Sequence, residues 1–196
     1  MAKLYFTYSA MNAGKSTILL QSAYNYRERG MQVMLWTSGH YRRDEGAMGS
    51  ITSRIGLEAE AHLYVEDVDM FEVIAAQVTS ERLDAIFVDE AQFLTPSQVW
   101  QLSRVADQLG IPVMCYGLRT DFQGKLFPGS SELLAIADQL REVRTICHCG
   151  SKATMTARLD KSGLAMTKGD QVDTDKAQYV SLCRKHWEDV TGFHVP

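Results

Sequence analysis

Short runs of apolar residues alternate with segments of helical spacing along most of this chain. The apolar runs predict buried strands at residues 4–8, 33–37, 85–88 and 111–116, with a fifth candidate at 144–147. Apolar residues at helical spacing predict helices at 15–29, 71–83, 95–109 and 132–140. Residues 38–62 are rich in Gly, Arg and Ser and have no firm period, so we expect an exposed or mobile loop there.

This alternation of strands and helices is typical of an α/β domain. In such a domain a parallel sheet is covered by helices, because each connection between parallel strands crosses a face of the sheet. After about residue 146 the pattern changes to short segments that carry paired cysteine and histidine residues. We therefore predict an α/β domain over residues 1–146, followed by a small domain of different construction over 147–196.

The composition restricts the possible partners. The chain has 196 residues, 45% of them hydrophobic, which is enough for one globular domain with a buried core. Its net charge of −4 provides no global positive field that would attract nucleic acid. No apolar run approaches the ~20 residues of a membrane span, and residues 1–3 lead into a strand rather than a signal peptide. We expect a cytoplasmic protein that binds neither nucleic acid nor a membrane.

A phosphate-binding motif follows the first predicted strand. Residues 9–16, Ser-Ala-Met-Asn-Ala-Gly-Lys-Ser, match G-x-x-x-x-G-K-[ST] except that Ser9 holds the first glycine position. A strand precedes the motif and a helix follows it, so its backbone N–H groups are expected to hold phosphates. Lys15 would neutralise phosphate charge, and the Ser16 hydroxyl would ligate Mg²⁺. The alternative is a chance Gly-Lys-Ser at the start of a helix.

Two acids, Asp89 and Glu90, come directly after the predicted strand at 85–88. In a P-loop fold this strand end lies beside the phosphate loop, at the carboxyl edge of the sheet. Asp89 is then expected to hold Mg²⁺, directly or through water, and Glu90 to face an acceptor hydroxyl as the catalytic base. The alternative is that Glu90 only caps the next turn or orders a water molecule, as in ATPases.

Cysteine and histidine form two close pairs in the last quarter of the chain, Cys147 with Cys149 and Cys183 with His186. In a reducing compartment such pairs indicate metal binding rather than disulfide bonds. Three thiolates and one imidazole suit a closed, tetrahedral, structural zinc site. His148 is an alternative ligand, and a set of unconnected thiols is the other alternative.

Taken together, four segments resemble the type II thymidine kinases, the cytosolic human and bacterial kind. They are residues 8–17 with the phosphate loop, 88–93 (Val-Asp-Glu-Ala-Gln-Phe), 116–122 (Tyr-Gly-Leu-Arg-Thr-Asp-Phe) and 179–186 with the second metal pair. The resemblance implies a P-loop (RecA-like) α/β domain and a small C-terminal zinc-binding domain whose loop, the lasso, covers the nucleoside. It also implies a homotetramer that moves the γ-phosphoryl of ATP to the 5′-hydroxyl of thymidine or deoxyuridine.

The resemblance also implies residue roles. Glu90 is the base that takes the 5′-hydroxyl proton. The nucleoside is enclosed by Met11, Phe93, Leu118, Phe122, Phe127 and Tyr179, although each phenylalanine has ordinary core packing as its alternative. The implied nucleotide-binding residues are Ser9, Ala10, Met11, Asn12, Ala13, Gly14, Lys15, Ser16, Asp89, Gln92 and Arg43. The implied cofactors are ATP, Mg²⁺ held by Ser16 and Asp89, and structural Zn²⁺ held by Cys147, Cys149, Cys183 and His186.

Two segments depart from the family pattern. Members carry Asp-x-Arg shortly after the second strand, whereas residues 41–43 read Tyr-Arg-Arg, with the arginine kept and the acid replaced. The lasso of members has a glycine pair before its tyrosine, whereas residues 172–179 read Val-Asp-Thr-Asp-Lys-Ala-Gln-Tyr. The altered lasso bears on the choice of nucleoside more than on the chemistry.

Two other functions are compatible with a P-loop. An ATPase coupled to nucleic acid would need a basic face, which the net charge of −4 does not favour. A nucleoside-binding regulator without turnover is suggested only by the missing acid at residue 41, while Lys15, Asp89 and Glu90 are all present. A deoxynucleoside kinase is therefore the favoured hypothesis.

Overall fold

The structure, a computed structural model, describes residues 1–40, 48–171 and 178–193. The strands are β1 (Leu4–Ser9), β2 (Val33–Ser38), β3 (Met48–Thr52), β4 (Glu58–Tyr64), β5 (Ala85–Val88), β6 (Val113–Leu118), β7 (Gln139–Glu142), β8 (Thr145–Ile146), β9 (Lys152–Ala153), β10 (Met155–Leu159) and β11 (Gln178–Leu182). The helices are α1 (Lys15–Glu28), α2 (Met70–Ser80), α3 (Pro96–Arg104), α4 (Pro128–Ile136) and α5 (Arg184–Thr191). A 3₁₀ turn at Ala91–Phe93 follows β5, and a π-helical turn at Val105–Leu109 extends α3.

Seven strands form one sheet in the order β3-β4-β2-β5-β6-β1-β7. All pairs in it are parallel except β3 with β4, which confirms the predicted α/β class. All four residues of β5 are buried, as expected for a central strand covered on both faces. Because parallel strands end at the same edge, the loops after β1, β5 and β6 lie side by side. The phosphate loop, the acids after β5 and the segment that follows β6 therefore meet at this edge.

The helix predicted at 95–109 is confirmed, and its start shows why the sequence encodes it. The Thr95 hydroxyl accepts a hydrogen bond from the Gln98 backbone N–H at 3.2 Å, while the Gln98 side chain accepts one from the Thr95 N–H at 3.1 Å. This reciprocal capping satisfies two N–H groups that the helix itself leaves without partners. The π-helical turn then ends at Gly110, whose φ of 69° suits glycine.

The loop predicted over residues 38–62 is wrong for the part that is described, because β3 and β4 form a hairpin there. Ile51 and Ala61 are buried in the core that includes Leu19 and Leu20 of α1. β4 does alternate, Glu-Ala-Glu-Ala over 58–61, but its inward side chains are alanines, and Ile51 is the one large apolar residue that β3 buries, so the apolar signal is weak. Residues 41–47 lie outside the described part of the chain.

The helix predicted at 132–140 was placed too late, since α4 begins at Pro128 and ends at Ile136. Residues 139–142 form β7 instead, an edge strand parallel to β1. All four residues of β7 are exposed, so no apolar pattern marks them as a strand. The candidate fifth strand at 144–147 does not join the main sheet, because β8 pairs with β9.

The residues after 146 pack around a separate group of buried side chains. β10 and β11 form an antiparallel pair, and α5 follows β11 directly. The buried apolar residues of this group are Cys147, Ala153, Ala157, Leu182 and Trp187. None of the helices in the described ranges has the length and apolar character needed to span a membrane.

Candidate active site at the carboxyl edge of the sheet

The phosphate loop connects β1 to α1 through two residues in the left-handed conformation. They are Asn12, with a φ of 62°, and Gly14, with a φ of 84°. Ser9 is the last residue of β1, and its hydroxyl donates to the Val143 carbonyl at 2.6 Å. Serine is therefore accommodated in the first glycine position, because the loop needs positive φ at residues 12 and 14 instead.

Asp89 is buried and Lys15 is half-buried at the base of this loop. Burial lowers the pKa of Lys15, although the Glu90 and Asp89 carboxylates partly oppose the shift. Burial also raises the pKa of Asp89 to about 7, and the nearby Glu90 adds to the shift, while a hydrogen bond from Ser16 opposes it. The Lys15 ammonium donates to the Ala10 carbonyl at 3.0 Å. Buried groups with perturbed pKa values in a cleft are typical of a functional site.

Glu90 is held in a conformation that is unusual for a residue with a side chain, with a φ of 54°. The buried Tyr64 hydroxyl donates to the Glu90 backbone carbonyl at 2.7 Å. The Gln92 side chain donates to the Glu90 carboxylate at 2.5 Å and accepts from the Leu118 N–H at 3.0 Å. A Cβ at Gly117 would lie 2.9 Å from the Gln92 side-chain oxygen, so only glycine leaves room for this contact.

Two cavities open at this edge of the sheet. A cavity of about 390 Å³ lies over the phosphate loop and is lined by residues 11–17, by residues 52–55 and by Glu90 and Leu118. A second cavity of about 410 Å³ lies beside it and has several aromatic walls. Met11, Glu90 and Leu118 line both cavities. Glu90 thus lies at the junction between the cavity over the phosphate loop and the cavity with aromatic walls.

The structure brings together most of the residues predicted from the sequence. The second cavity is lined by all six predicted nucleoside-binding residues, Met11, Phe93, Leu118, Phe122, Phe127 and Tyr179. The phosphate cavity is lined by the predicted residues Met11, Asn12, Ala13, Gly14, Lys15 and Ser16. Gln92 lines the second cavity rather than the phosphate cavity. Arg43 lies outside the described residues.

Strands β10 and β11 contribute contacts that sequence reasoning missed. Thr156 accepts a hydrogen bond from the Met11 N–H at 3.1 Å, and Ser181 donates to the Met11 carbonyl. The Asn12 side chain donates to the Tyr179 carbonyl at 3.3 Å. The other cavity residues that were not predicted are Thr37, Ser38, Ser50, Thr120, Asp121 and Gln171. Of these, Thr120 and Asp121 lie within the family segment 116–122, whereas no motif marks Thr37, Ser38, Ser50 or Gln171.

A buried arginine supports one wall of the second cavity. The Arg158 guanidinium lies 3.7 Å from the centre of the Phe122 ring and donates to the Asp170 carbonyl at 2.9 Å. The neighbouring Gln171 donates to the buried Asp121 carboxylate at 3.0 Å. These bonds fix the chain at residues 170–171 against the cavity wall.

The four predicted zinc ligands lie together. The ligand atoms of Cys147, Cys149, Cys183 and His186 are all within 4.8 Å of one another. The Cys149 and Cys183 sulfurs are 4.0 Å apart, and the His186 Nδ1 is 3.4 Å from Cys147 Sγ and 3.2 Å from Cys183 Sγ. A tetrahedral zinc with Zn–S bonds of about 2.3 Å separates its ligand atoms by roughly these distances.

The chemistry of this donor set also suits zinc. Hydrogen bonds from Ser151 lower the pKa of Cys149 to about 6, which favours the thiolate that a metal binds. The group of four ligand atoms found among the described residues does not include His148, the alternative ligand.

Comparison with known proteins identifies the family. A family model described as thymidine kinase matches residues 2–187. The chain belongs to the thymidine kinase family. The thymidine kinase of Mesorhizobium japonicum is 60% identical over all of this chain and 96% of that protein. The thymidine kinase of Agrobacterium fabrum is 57% identical over 95% of this chain and 96% of that protein. The thymidine kinase of Vibrio cholerae is 54% identical over 98% of this chain and 100% of that protein.

This result confirms the resemblance found in the sequence motifs, and the chain is a nucleoside kinase of the thymidine kinase family. Among solved structures, Bacteroides Pif1 bound to single-stranded DNA covers 72% of this chain and 38% of its own, at 11% identity and a TM-score of 0.37. That likeness carries no argument about function.

Proposed function

We propose that this thymidine kinase binds ATP at the phosphate loop and transfers its γ-phosphoryl group to the 5′-hydroxyl of thymidine. The observation that supports this most directly is the position of Glu90, which lines both cavities. A phosphate bound over Lys15 and a nucleoside in the second cavity would meet beside this carboxylate. The product, dTMP, would enter the salvage synthesis of DNA precursors.

The phosphate side of the reaction depends on positioning and charge. Backbone N–H groups of the loop and of the α1 N-terminus would hold the phosphates, and Lys15 would neutralise their charge. Ser16 and Asp89 would hold Mg²⁺, and the Ser16 side chain already acts on the Asp89 carboxyl group, whose pKa it lowers. A bound Mg²⁺ supplies positive charge to the phosphate oxygens.

The nucleoside side depends on the aromatic cavity and on Glu90. A pyrimidine ring fits between aromatic and aliphatic walls such as Phe122, Phe127 and Met11. The Glu90 carboxylate would accept the proton of the 5′-hydroxyl as that oxygen attacks phosphorus. Gln92 would act as a positioning residue, since it binds the Glu90 carboxylate and is itself fixed on the Leu118 N–H.

The remaining features extend the same proposal. Cys147, Cys149, Cys183 and His186 would hold a structural zinc ion that fixes the small domain at 147–196 to the α/β domain at 1–146. The lasso would cover the nucleoside, with Tyr179 closing the cavity. The homotetramer, the cytoplasmic location and the absence of a nucleic-acid partner stay predictions.

A substrate panel tests the proposed reaction. With ATP and Mg²⁺, we expect phosphorylation of thymidine and deoxyuridine. We expect much slower reaction of deoxycytidine, whose ring carries a donor amino group where thymine has a carbonyl, and of a purine deoxynucleoside, whose base is larger. Transfer would be followed as labelled nucleoside monophosphate. Transfer only to another nucleoside would show that the enzyme prefers that nucleoside to thymidine. ATP binding without transfer to any of them would contradict the proposed kinase activity and favour a regulator.

The role of Gln92 is tested by Gln92→Met, which keeps the length of the side chain but removes both hydrogen bonds. We expect kcat to fall about 10- to 100-fold, because Glu90 loses the contact that orients its carboxylate, while the KM for ATP changes less than about twofold. Steady-state kinetics measure both constants, and Gln21→Met on the exposed face of α1 is the control. A raised KM for ATP with unchanged kcat would instead return Gln92 to the nucleotide site.

A further inference from the structure

The hairpin between β3 and β4 reaches the phosphate cavity from outside the P-loop. This cavity is lined by residues 11–17 of the phosphate loop and α1 and also by residues 52–55 of the hairpin. No sequence motif pointed to the hairpin residues. The hairpin therefore contributes to the site at which ATP phosphates are proposed to bind.

Hydrogen bonds hold the turn of this hairpin in a defined conformation. The buried Ser53 donates its N–H to the Leu57 carbonyl at 2.8 Å, and its hydroxyl accepts from the Leu57 N–H at 2.9 Å. The Gly56 N–H donates to the Ser53 carbonyl at 3.1 Å, with a φ of 87° at Gly56. Ile51, three residues before Arg54, is anchored in the core beneath α1. The backbone of Arg54 is thus fixed relative to the phosphate loop.

The phosphate loop supplies little positive charge to balance the negative charge of the ATP phosphates. Lys15, the one basic side chain of the phosphate loop, faces the carboxyl groups of Asp89 and Glu90, which offset part of its positive charge. Mg²⁺ offsets only part of the charge of the ATP phosphates. Among the described residues that line either cavity, Arg54 is the one cation besides Lys15. Its planar guanidinium matches phosphate oxygens with paired N–H donors.

We propose that Arg54 binds the γ-phosphoryl group of ATP and stabilises the charge that develops on its oxygens during transfer. The inference rests on the proposed function. It adds to Lys15 a second basic side chain, which comes from the hairpin rather than from the P-loop. An arginine placed at the transferring group is an effective device in phosphoryl transfer, because its charge acts on the equatorial oxygens.

Arg54→Gln and Arg54→Lys test this role. For Arg54→Gln we expect kcat/KM for ATP to fall about 10- to 100-fold, with the KM for thymidine changed less than about twofold. Arg54→Lys keeps the charge and should recover part of the loss. Calorimetry with Mg²⁺ then compares ADP with a non-hydrolysable ATP analogue. The Arg54→Gln variant should lose about tenfold in affinity for the analogue and little for ADP, since ADP has no γ-phosphoryl group.

The matched control is Arg29→Gln, at the end of α1 away from the loop, which should leave all constants unchanged. Unchanged kinetics in Arg54→Gln would overturn the proposal, and so would an equal loss of affinity for ADP and the analogue. If Arg43→Gln lost affinity for the ATP analogue but not for ADP, and Arg54→Gln lost neither, the proposal for Arg54 would be overturned and the role would belong to Arg43. Absence of transfer by the unaltered protein would contradict the proposed function, whereas the calorimetric comparison would still decide the role of Arg54.

Discussion

Replacement of Glu90 by glutamine is expected to lower kcat for thymidine phosphorylation by about 10²- to 10⁴-fold, the usual contribution of a general base. Glutamine has nearly the same shape but does not accept the 5′-hydroxyl proton. The bond from Tyr64 should survive, because it is made to the backbone carbonyl of residue 90. The fold around this residue and the affinity for ATP should therefore change little, within about threefold, as Glu90 is not proposed to bind the nucleotide.

Kinetics and binding together check this result. Single-turnover experiments with saturating ATP and thymidine measure the transfer step, and calorimetry measures the affinity for ATP. Glu66→Gln, an exposed glutamate on the loop after β4, is the matched control and should behave like the unaltered protein. Normal turnover in Glu90→Gln would remove Glu90 from the role of base. A large loss of ATP affinity would place it among the nucleotide-binding residues.

Replacement of Cys183 by alanine is expected to abolish stoichiometric zinc binding and to weaken the affinity for thymidine more than the affinity for ATP. The reason is the helix that follows this residue, since Cys183 caps α5 and His186 lies in its first turn. The next residue, Trp187, donates from its indole N–H to the carbonyls of Phe122 at 3.2 Å and Thr156 at 3.1 Å. Both acceptor residues line the cavity proposed to bind the nucleoside, so loosening α5 would loosen two of its walls.

Metal analysis, thermal unfolding and nucleoside binding measure this effect. We expect the loss of a structural metal ligand to cost at least about 3 kcal/mol, or a lowering of Tm by roughly 6–12 °C for a chain of this size. His148→Ala is the matched control, because His148 is adjacent to two ligands but is not one of the group of four. Unchanged zinc content and Tm in Cys183→Ala, or loss of zinc in His148→Ala, would contradict the assigned ligand set.

The features that the sequence predicted are those that depend on neighbouring residues. The phosphate loop, the acids after β5 and the Thr95 cap are each encoded within a few positions, where strand, turn and helix chemistry act directly. The nucleoside cavity was predicted only through the family resemblance. Nothing local distinguishes Phe122 or Phe127 from an ordinary core phenylalanine, since both are buried.

The features that were missed depend on distant pairs or on strands without an apolar pattern. Thr156 and Ser181 bind Met11 across 145 and 170 positions of sequence, so no window of the chain reveals them. β7 has only exposed residues, and its place in the sheet follows from its pairing with β1. In the β3–β4 hairpin the side chains that pack beneath α1 are mainly Ile51 and two alanines, so this packing is visible only in three dimensions.

The bonds from β10 and β11 to the phosphate loop have a thermodynamic consequence. Met11 and Asn12 belong to the loop that would hold ATP, whereas Thr156 and Tyr179 line the cavity that would hold thymidine. If one substrate orders backbone that the other also needs, the second to arrive would meet a smaller entropy cost. Reciprocity then requires that thymidine strengthen ATP binding by the same factor by which ATP strengthens thymidine binding. In this arrangement cooperativity between unlike ligands arises within one chain.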